Sequence, residues 1–237
     1  MQKNNVHILS TRPVGKALMD EAVLHDIFID EISFIDTEEL INPDTEKKIQ
    51  QLSDENINAV FTSMNAVEAV RRFISPNSVW KIFCIGNTTK QLAEDLFGKE
   101  KIAVTAYNAS QLAENISENP QVKKVHFFCG DQRRDELPRI LKENNIQIEE
   151  IVVYKTIETP QVISRKYDGI LFFSPSAVQS FFLKNSISPD TKLFAIGSTT
   201  ANALKLFTQQ HVIIANVPGK KNLVFQAINF FSKTQIS

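Results

Sequence analysis

Short apolar runs rich in Val, Ile and Phe alternate along this chain with longer amphipathic stretches. The runs are VHILS (6–10), AVFTS (59–63), KIFCIG (81–86), KIAVTA (101–106), KVHFFCG (124–130), EEIVVYKT (149–156), GILFFS (169–174), KLFAIG (192–197) and HVIIA (211–215). Near-continuous hydrophobicity over so few residues predicts strands covered on both faces. Between them, 65–73, 88–97 and 135–144 place apolar residues at helical spacing. Strands alternating with helices predict parallel sheets built from βαβ units.

An internal repeat organises these elements. FTSMNAV (61–67) lies over FFSPSAV (172–178), and KIFCIGNTT (81–89) over KLFAIGSTT (192–200), both at an offset of 111 with no gap between the matches. A weaker pair relates VHILSTR (6–12) to VHFFCGD (125–131) and EISFIDT (31–37) to EIVVYKT (150–156), at an offset of 119. The chain reads as A–B–A′–B′, a doubled α/β unit. The residues alone leave open whether AB packs beside A′B′, or B joins A′ while A joins B′.

Candidate chemistry gathers where the predicted strands end. They open into Ser10-Thr11-Arg12-Pro13, Thr62-Ser63, Gly86-Asn87-Thr88-Thr89, Gly130-Asp131, Ser174-Pro175-Ser176 and Gly197-Ser198-Thr199-Thr200. Ser, Thr, Asn and Asp there are expected to cap the helices that follow, and Gly to let a ligand approach the backbone. Strand carboxyl ends form the ligand crevice of parallel α/β sheets, and helix N-termini offer free N–H donors to an anion. Arg12, Arg133 and Arg134 follow strand ends, where cations do not favour a helix dipole, which points to a ligand role. The binding candidates are therefore Arg12, Thr62, Ser63, Thr88, Thr89, Gly130, Asp131, Arg134, Ser174, Ser176, Gly197, Thr199 and Thr200. Arg71 and Arg72 read as surface residues within a helix, and Lys220 and Lys221 as solvated residues of the loop after Pro218-Gly219. Tyr154, where a strand gives way to an extended segment ending in Pro160, is a candidate proton donor.

Bulk properties narrow the function. The formal net charge of −1 gives no field for nucleic acid or an anionic membrane, so an acidic ligand must be held by local donors. No run approaches a membrane span, and the polar lead Met1–Val6 has no signal pattern, so a monomeric cytoplasmic protein is expected. Cys84 and Cys129 lie in apolar runs and read as buried reduced thiols. The seven glycines form no dinucleotide or Walker pattern, the four histidines have no zinc spacing, and G-x-S-x-G is missing. His7 and His126 occupy matching strand positions and read as structural. A reaction here is expected to use no metal, nucleotide or other cofactor.

In order, spacing and duplication, FTSMNAV, IGNTT, CGDQRRDELP, VVYKT, FFSPSAV and IGSTT resemble the uroporphyrinogen-III synthase family over essentially the whole chain. The resemblance implies two parallel-sheet α/β domains with flavodoxin- or Rossmann-like layers, joined by a two-stranded linker. It selects the interleaved pairing: 1–33 with 162–237 as one domain, 40–152 as the other, and 34–39 with 153–161 as linker strands. It also implies a cofactor-free lyase that closes hydroxymethylbilane, a linear tetrapyrrole with eight carboxylates, eliminating water and inverting ring D through a spiro-pyrrolenine. The family's cleft tyrosine matches Tyr154, and its cleft hydroxyls match Ser63, Thr89, Ser174 or Ser176, and Thr200. Many members carry a basic residue where this chain has Asn65, so no side-chain cation is expected there. Two rival readings stay open: a two-lobed non-enzymatic binding protein for an acidic ligand, and a two-domain glycosyltransferase.

Overall fold

The computed structural model describes residues 5–217 and 219–234, without the side chains of Asn87 and Thr234. The start of the polar lead and Pro218 lie outside the described residues. In chain order the elements are β1 (Val6–Ser10), α1 (Lys16–Val23), β2 (Ile27–Glu31), β3 (Ile35–Glu39), α2 (Pro43–Ser53), β4 (Asn58–Phe61), α3 (Met64–Val70), β5 (Lys81–Ile85), α4 (Asn87–Phe97) and β6 (Ile102–Ala106). There follow α5 (Ala109–Ser117), β7 (Lys124–Gly130), α6 (Glu136–Glu143), β8 (Gln147–Glu158), β9 (Gly169–Phe172), α7 (Pro175–Phe182), β10 (Lys192–Ala195), α8 (Ser198–Lys205), β11 (Val212–Ile214) and α9 (Lys220–Thr234). Each apolar run became a strand, and β2 and β3 are additional to them. Lys220 and Lys221 open α9 and do not belong to the preceding loop; the ammonium of Lys221 lies 5.6 Å over the Phe225 ring.

Contacts divide the chain into two compact units, Met1–Asp36 with Ile157–Ser237, and Thr37–Thr156. The first unit holds the sheet β2-β1-β9-β10-β11, parallel at each pairing. The second sheet runs β3-β8-β7-β4-β5-β6, parallel from β8 to β6. Matched by the repeat, β7 and β8 correspond to β1 and β2, and β4, β5 and β6 to β9, β10 and β11. The spatial orders are then identical while the chain enters them at different strands, so the second unit is a circular permutation of the first. In each sheet the winding reverses once, between β1 and β9 and between β4 and β7. Such switch points leave a crevice at the strand carboxyl ends.

The permutation makes β8 do two things. Its first half pairs with β7 as β2 pairs with β1, from Lys124↔Gln147 to Cys129↔Val152. Its second half neighbours β3. Leu40 N–H donates to Val153 O at 2.9 Å and Thr159 N–H to Phe34 O at 3.0 Å, so β3 and β8 run in opposite directions. The chain thus passes between the units twice, on two neighbouring strands.

Burial follows the covered-strand pattern. β9 is buried throughout and β7 after its first residue, whereas the edge strand β6 alternates. Successive residues of β4 serve opposite faces: Ala59 and Phe61 join one core, Val60 the other. In β9, Ile170 and Phe172 likewise oppose Leu171. Phe128 stacks between Phe61 and Trp80 at 5.2 Å from each, and the Trp80 indole N–H donates to Leu52 O at 2.7 Å. Each sheet therefore has a core on both faces, which holds its strand ends as a rigid platform.

Candidate functional site

In the first unit, the loop after β1 is pinned to β9. Thr11 donates to Leu171 O through both its N–H (3.0 Å) and its hydroxyl (2.8 Å), and Ser10 Oγ donates to Arg12 O at 2.6 Å. Ser and Thr there shape the loop and do not cap α1. The first donors of that helix region are taken by Glu31 Oε1, which accepts from Val14 N–H at 2.7 Å and Gly15 N–H at 3.1 Å. Arg12 stands exposed, its guanidinium 5.7 Å over Phe173, and partial dehydration there pulls its pKa below the usual value. Beside it, Ser174 caps α7 by accepting from Ala177 N–H at 3.1 Å, and Ser176 is buried.

In the second unit, Thr62 and Ser63 follow β4, and Ser63 Oγ caps α3 by accepting from Asn65 N–H at 3.2 Å. Across the switch point, Gly130 ends β7 beneath the Tyr154 ring. A Cβ on Gly130 would stand 2.5 Å from Tyr154 Cζ. Gly130 is buried, so the residue that approaches its backbone closely is Tyr154. Asp131 Oδ1 accepts from Thr156 N–H at 3.0 Å and Asp131 N–H donates to Tyr154 O at 3.1 Å, which fixes the end of β8. The phenol of Tyr154 is hydrogen-bonded to Ser63; burial raises its pKa above the ordinary value, and the Ser63 bond opposes that rise. Tyr154 borders a hollow of about 260 Å³ together with Thr37, Asn65, Arg71 and Arg72.

The matched Gly-x-Thr-Thr turns are not built as the expected hydroxyl caps. Gly86 and Gly197 themselves sit at the cap positions of α4 and α8, with no side-chain capping bond. The second threonine of each pair turns inward: Thr89 is 7% and Thr200 1% exposed. Thr88 and Thr199 remain exposed. The inward turn puts the second threonine on the buried face of its helix, one position too far round to meet solvent.

The basic pair after β7 separates. Arg133 is ion-paired with Glu150 and Asp135, and the Glu150 bond raises its pKa. Arg134 is exposed and makes no ion pair among the described residues. Arg71 follows the last α-helical residue of α3 and begins a 3₁₀ turn ending at Phe73; it and Arg72, read from sequence as plain surface, reach the Tyr154 hollow. Their local sequence gave no sign of this, because the hollow is closed by Thr37 and Glu39 of β3 and Tyr154 of β8. Cys84 and Cys129 are buried free thiols pushed up by burial to about 11, far from thiolate at neutral pH. Among the described residues no group of His, Cys, Asp or Glu is placed to hold a metal ion, and no helix is long and apolar enough to cross a membrane.

Two doubly wound sheets, each bringing small hydroxyl and glycine residues to its switch point, define a two-unit α/β protein with anion-ready strand ends. The chain belongs to the uroporphyrinogen-III synthase family: the family model described as uroporphyrinogen-III synthase HemD matches residues 29–224. In fold it is similar to the crystal structure of uroporphyrinogen-III synthetase from Helicobacter pylori 26695, with a TM-score of 0.66 at 17% identity over 95% of this chain and 99% of that one. It is also similar to a mutant uroporphyrinogen III synthase from the extremely thermophilic bacterium Thermus thermophilus, with a TM-score of 0.61 at 12% identity over 97% of this chain and 99% of that one. Family membership carries a cyclising enzyme activity and a tetrapyrrole substrate. The comparisons lend no support to the two-lobed binding protein.

Proposed function

We propose that this chain converts hydroxymethylbilane to uroporphyrinogen III as a cofactor-independent lyase, acting as a monomer in the cytoplasm. The observation that carries the residue assignments is Tyr154: a neutral phenol, bonded to Ser63, on a hollow beside the switch point of the second sheet. Loss of the substrate hydroxyl breaks a C–O bond and needs a proton on the departing oxygen. Tyr154 stands as the donor: its proton passes to that oxygen, which leaves as water, and the proton released from the pyrrole carbon on ring closure returns to the phenolate. A phenol with a raised pKa is a weak acid, so protonation supplies a modest share of the rate. Most of it comes from holding a flexible, reactive chain so that ring D attacks with inversion.

The carboxylates would be held by local donors. Exposed Arg12 and Arg134 supply charge, while Thr62, Thr88 and Thr199 supply hydroxyls. The N–H groups left free by the caps at the starts of α3, α7, α4 and α8, beside Ser63, Ser174, Gly86 and Gly197, supply main-chain donors. In the first unit buried Ser176 and Thr200, and in the second buried Thr89 with Gly130 and Asp131, shape the turns that carry these donors. The test is the isomer formed from freshly made hydroxymethylbilane, read by chromatography. Type III supports the assignment, and type I alone, the spontaneous product, refutes it. Tyr154→Phe should lower turnover by about ten- to a hundredfold while leaving the melting temperature nearly unchanged; unchanged turnover would return Tyr154 to a packing role.

A further inference from the structure

The hollow beside Tyr154 carries two cations, Arg71 and Arg72, each paired with a carboxylate. Arg71 Nη1 lies 3.1 Å from Glu68 Oε1, three residues earlier on the same helical run. Arg72 Nη2 donates to Glu39 Oε1 at 2.6 Å, from the turn after α3 to β3, 33 residues away in sequence. The guanidinium of Arg72 also lies 4.7 Å over the Phe73 ring. Asn65 and Thr37, the polar neighbours in the hollow, bring no charge.

The two pairs differ in what holds them. Glu68 and Arg71 are local and re-form wherever the helix forms. Glu39 reaches Arg72 only because β3 lies beside β8, which also carries Tyr154. Its carboxylate therefore rests on a planar, fork-shaped donor at the edge of the same hollow as the phenol. We propose that Arg72 is a carboxylate subsite for the substrate beside Tyr154, and that Glu39 is its internal placeholder. This rests on the reading of the chain as a cyclase of a polycarboxylate. A substrate carboxylate takes the place of Glu39 on Arg72, and the side chain of Glu39 swings into solvent.

The exchange favours the incoming carboxylate, which can take two parallel N–H groups of the guanidinium where Glu39 takes one, from Nη2. Both partners reach solvent, with side-chain exposures of 63% for Arg72 and 33% for Glu39. An ion pair so exposed shifts an equilibrium by no more than about fivefold, so Glu39 holds the fork in place without blocking it. A guanidinium matches a carboxylate through two parallel N–H groups, which also orients the bound arm of the substrate.

Steady-state kinetics on the full chain with hydroxymethylbilane tests this, after the wild-type protein has been shown to give the type III isomer. Glu39→Gln keeps the shape and removes the competing charge, so KM should fall by about two- to fivefold while kcat holds. Arg72→Gln should raise KM by about five- to tenfold, and the double variant should match Arg72→Gln, because no cation is left for the Glu39 change to release. Both side chains reach solvent, and melting temperatures within about 2 °C of wild type would show the variants folded. An unchanged KM in Arg72→Gln, or an unchanged or raised KM in Glu39→Gln, would overturn the subsite while the cyclase reading stands. Type I alone from the wild-type protein would overturn the reading on which the subsite rests.

Discussion

Alanine at Gly86 and alanine at Gly197 are one substitution made at matched positions of the repeat, and the structure gives them opposite consequences. Gly86 has φ 68 and ψ 170, a region that residues with a Cβ enter only under strain. Forcing alanine there costs about 1–3 kcal/mol. Gly197 has φ −174 and ψ 175, extended backbone open to any residue, and a Cβ on it meets no atom within 4 Å. Alanine at that position restricts the unfolded chain and stabilises by about 0.4–1 kcal/mol. At about 2–4 °C per kcal/mol for a chain of this size, Gly86→Ala should melt about 2–12 °C below wild type, and Gly197→Ala at or slightly above it.

Scanning calorimetry reads both shifts. Activity separates the variants again. The methyl of Gly197→Ala points into open space at the start of α8, where the proposed main-chain donors meet a carboxylate. Displacing the bound arm by a methyl radius should lower kcat/KM by about ten- to a hundredfold in a protein of undiminished stability. Equal melting temperatures for the two variants would refute the backbone argument. Full activity in Gly197→Ala would refute close approach of substrate to that turn.

Gly130→Ala should destabilise and slow the enzyme together, because its Cβ would lie 2.5 Å from Tyr154 Cζ and must push the ring aside; a variant with normal turnover and melting temperature would show that the ring moves freely. Glu149 is held at about 2, down from 4.5, by hydrogen bonds from Lys124 and Lys48. A depressed carboxylate pKa gives stability that is present above pH 4.5 and is lost as pH falls toward 2, so Glu149→Gln should flatten that part of the acid-unfolding profile, and an unaltered profile would count against the pairing. Cys84 and Cys129, buried with thiols near 11, should resist a disulfide reagent at neutral pH until denaturant is added; rapid labelling of the native protein would contradict their burial.

The strands and the duplication are carried by local sequence. Runs such as GILFFS and KLFAIG are too short and too evenly apolar to be amphipathic helices, so hydrophobic burial dictates β9 and β10 wherever they pack. The repeat at an offset of 111 also marks which turns correspond, because side chains that cap and pack one copy recur in the other. What the residues alone could not fix is which faces the turns present. Thr88 and Thr89 are chemically alike, and a single step of helix rotation exposes one and buries the other. Gly86 and Gly197 share a sequence context and differ in φ, 68 against −174, which puts only the first in the left-handed region.

Long-range pairing decided the rest. Glu31 meets the donors before α1 because β2 lies beside β1. Gly130 owes its lack of a side chain to Tyr154, 24 positions later, which only the parallel register of β7 and β8 brings onto it. Arg72 reads as a surface cation until β3 sets Glu39 against it. Local propensity and burial act along the chain and can be read there. Register and the direction of side chains arise only when separate strands pair, so the chemistry of the strand ends belongs to the tertiary structure.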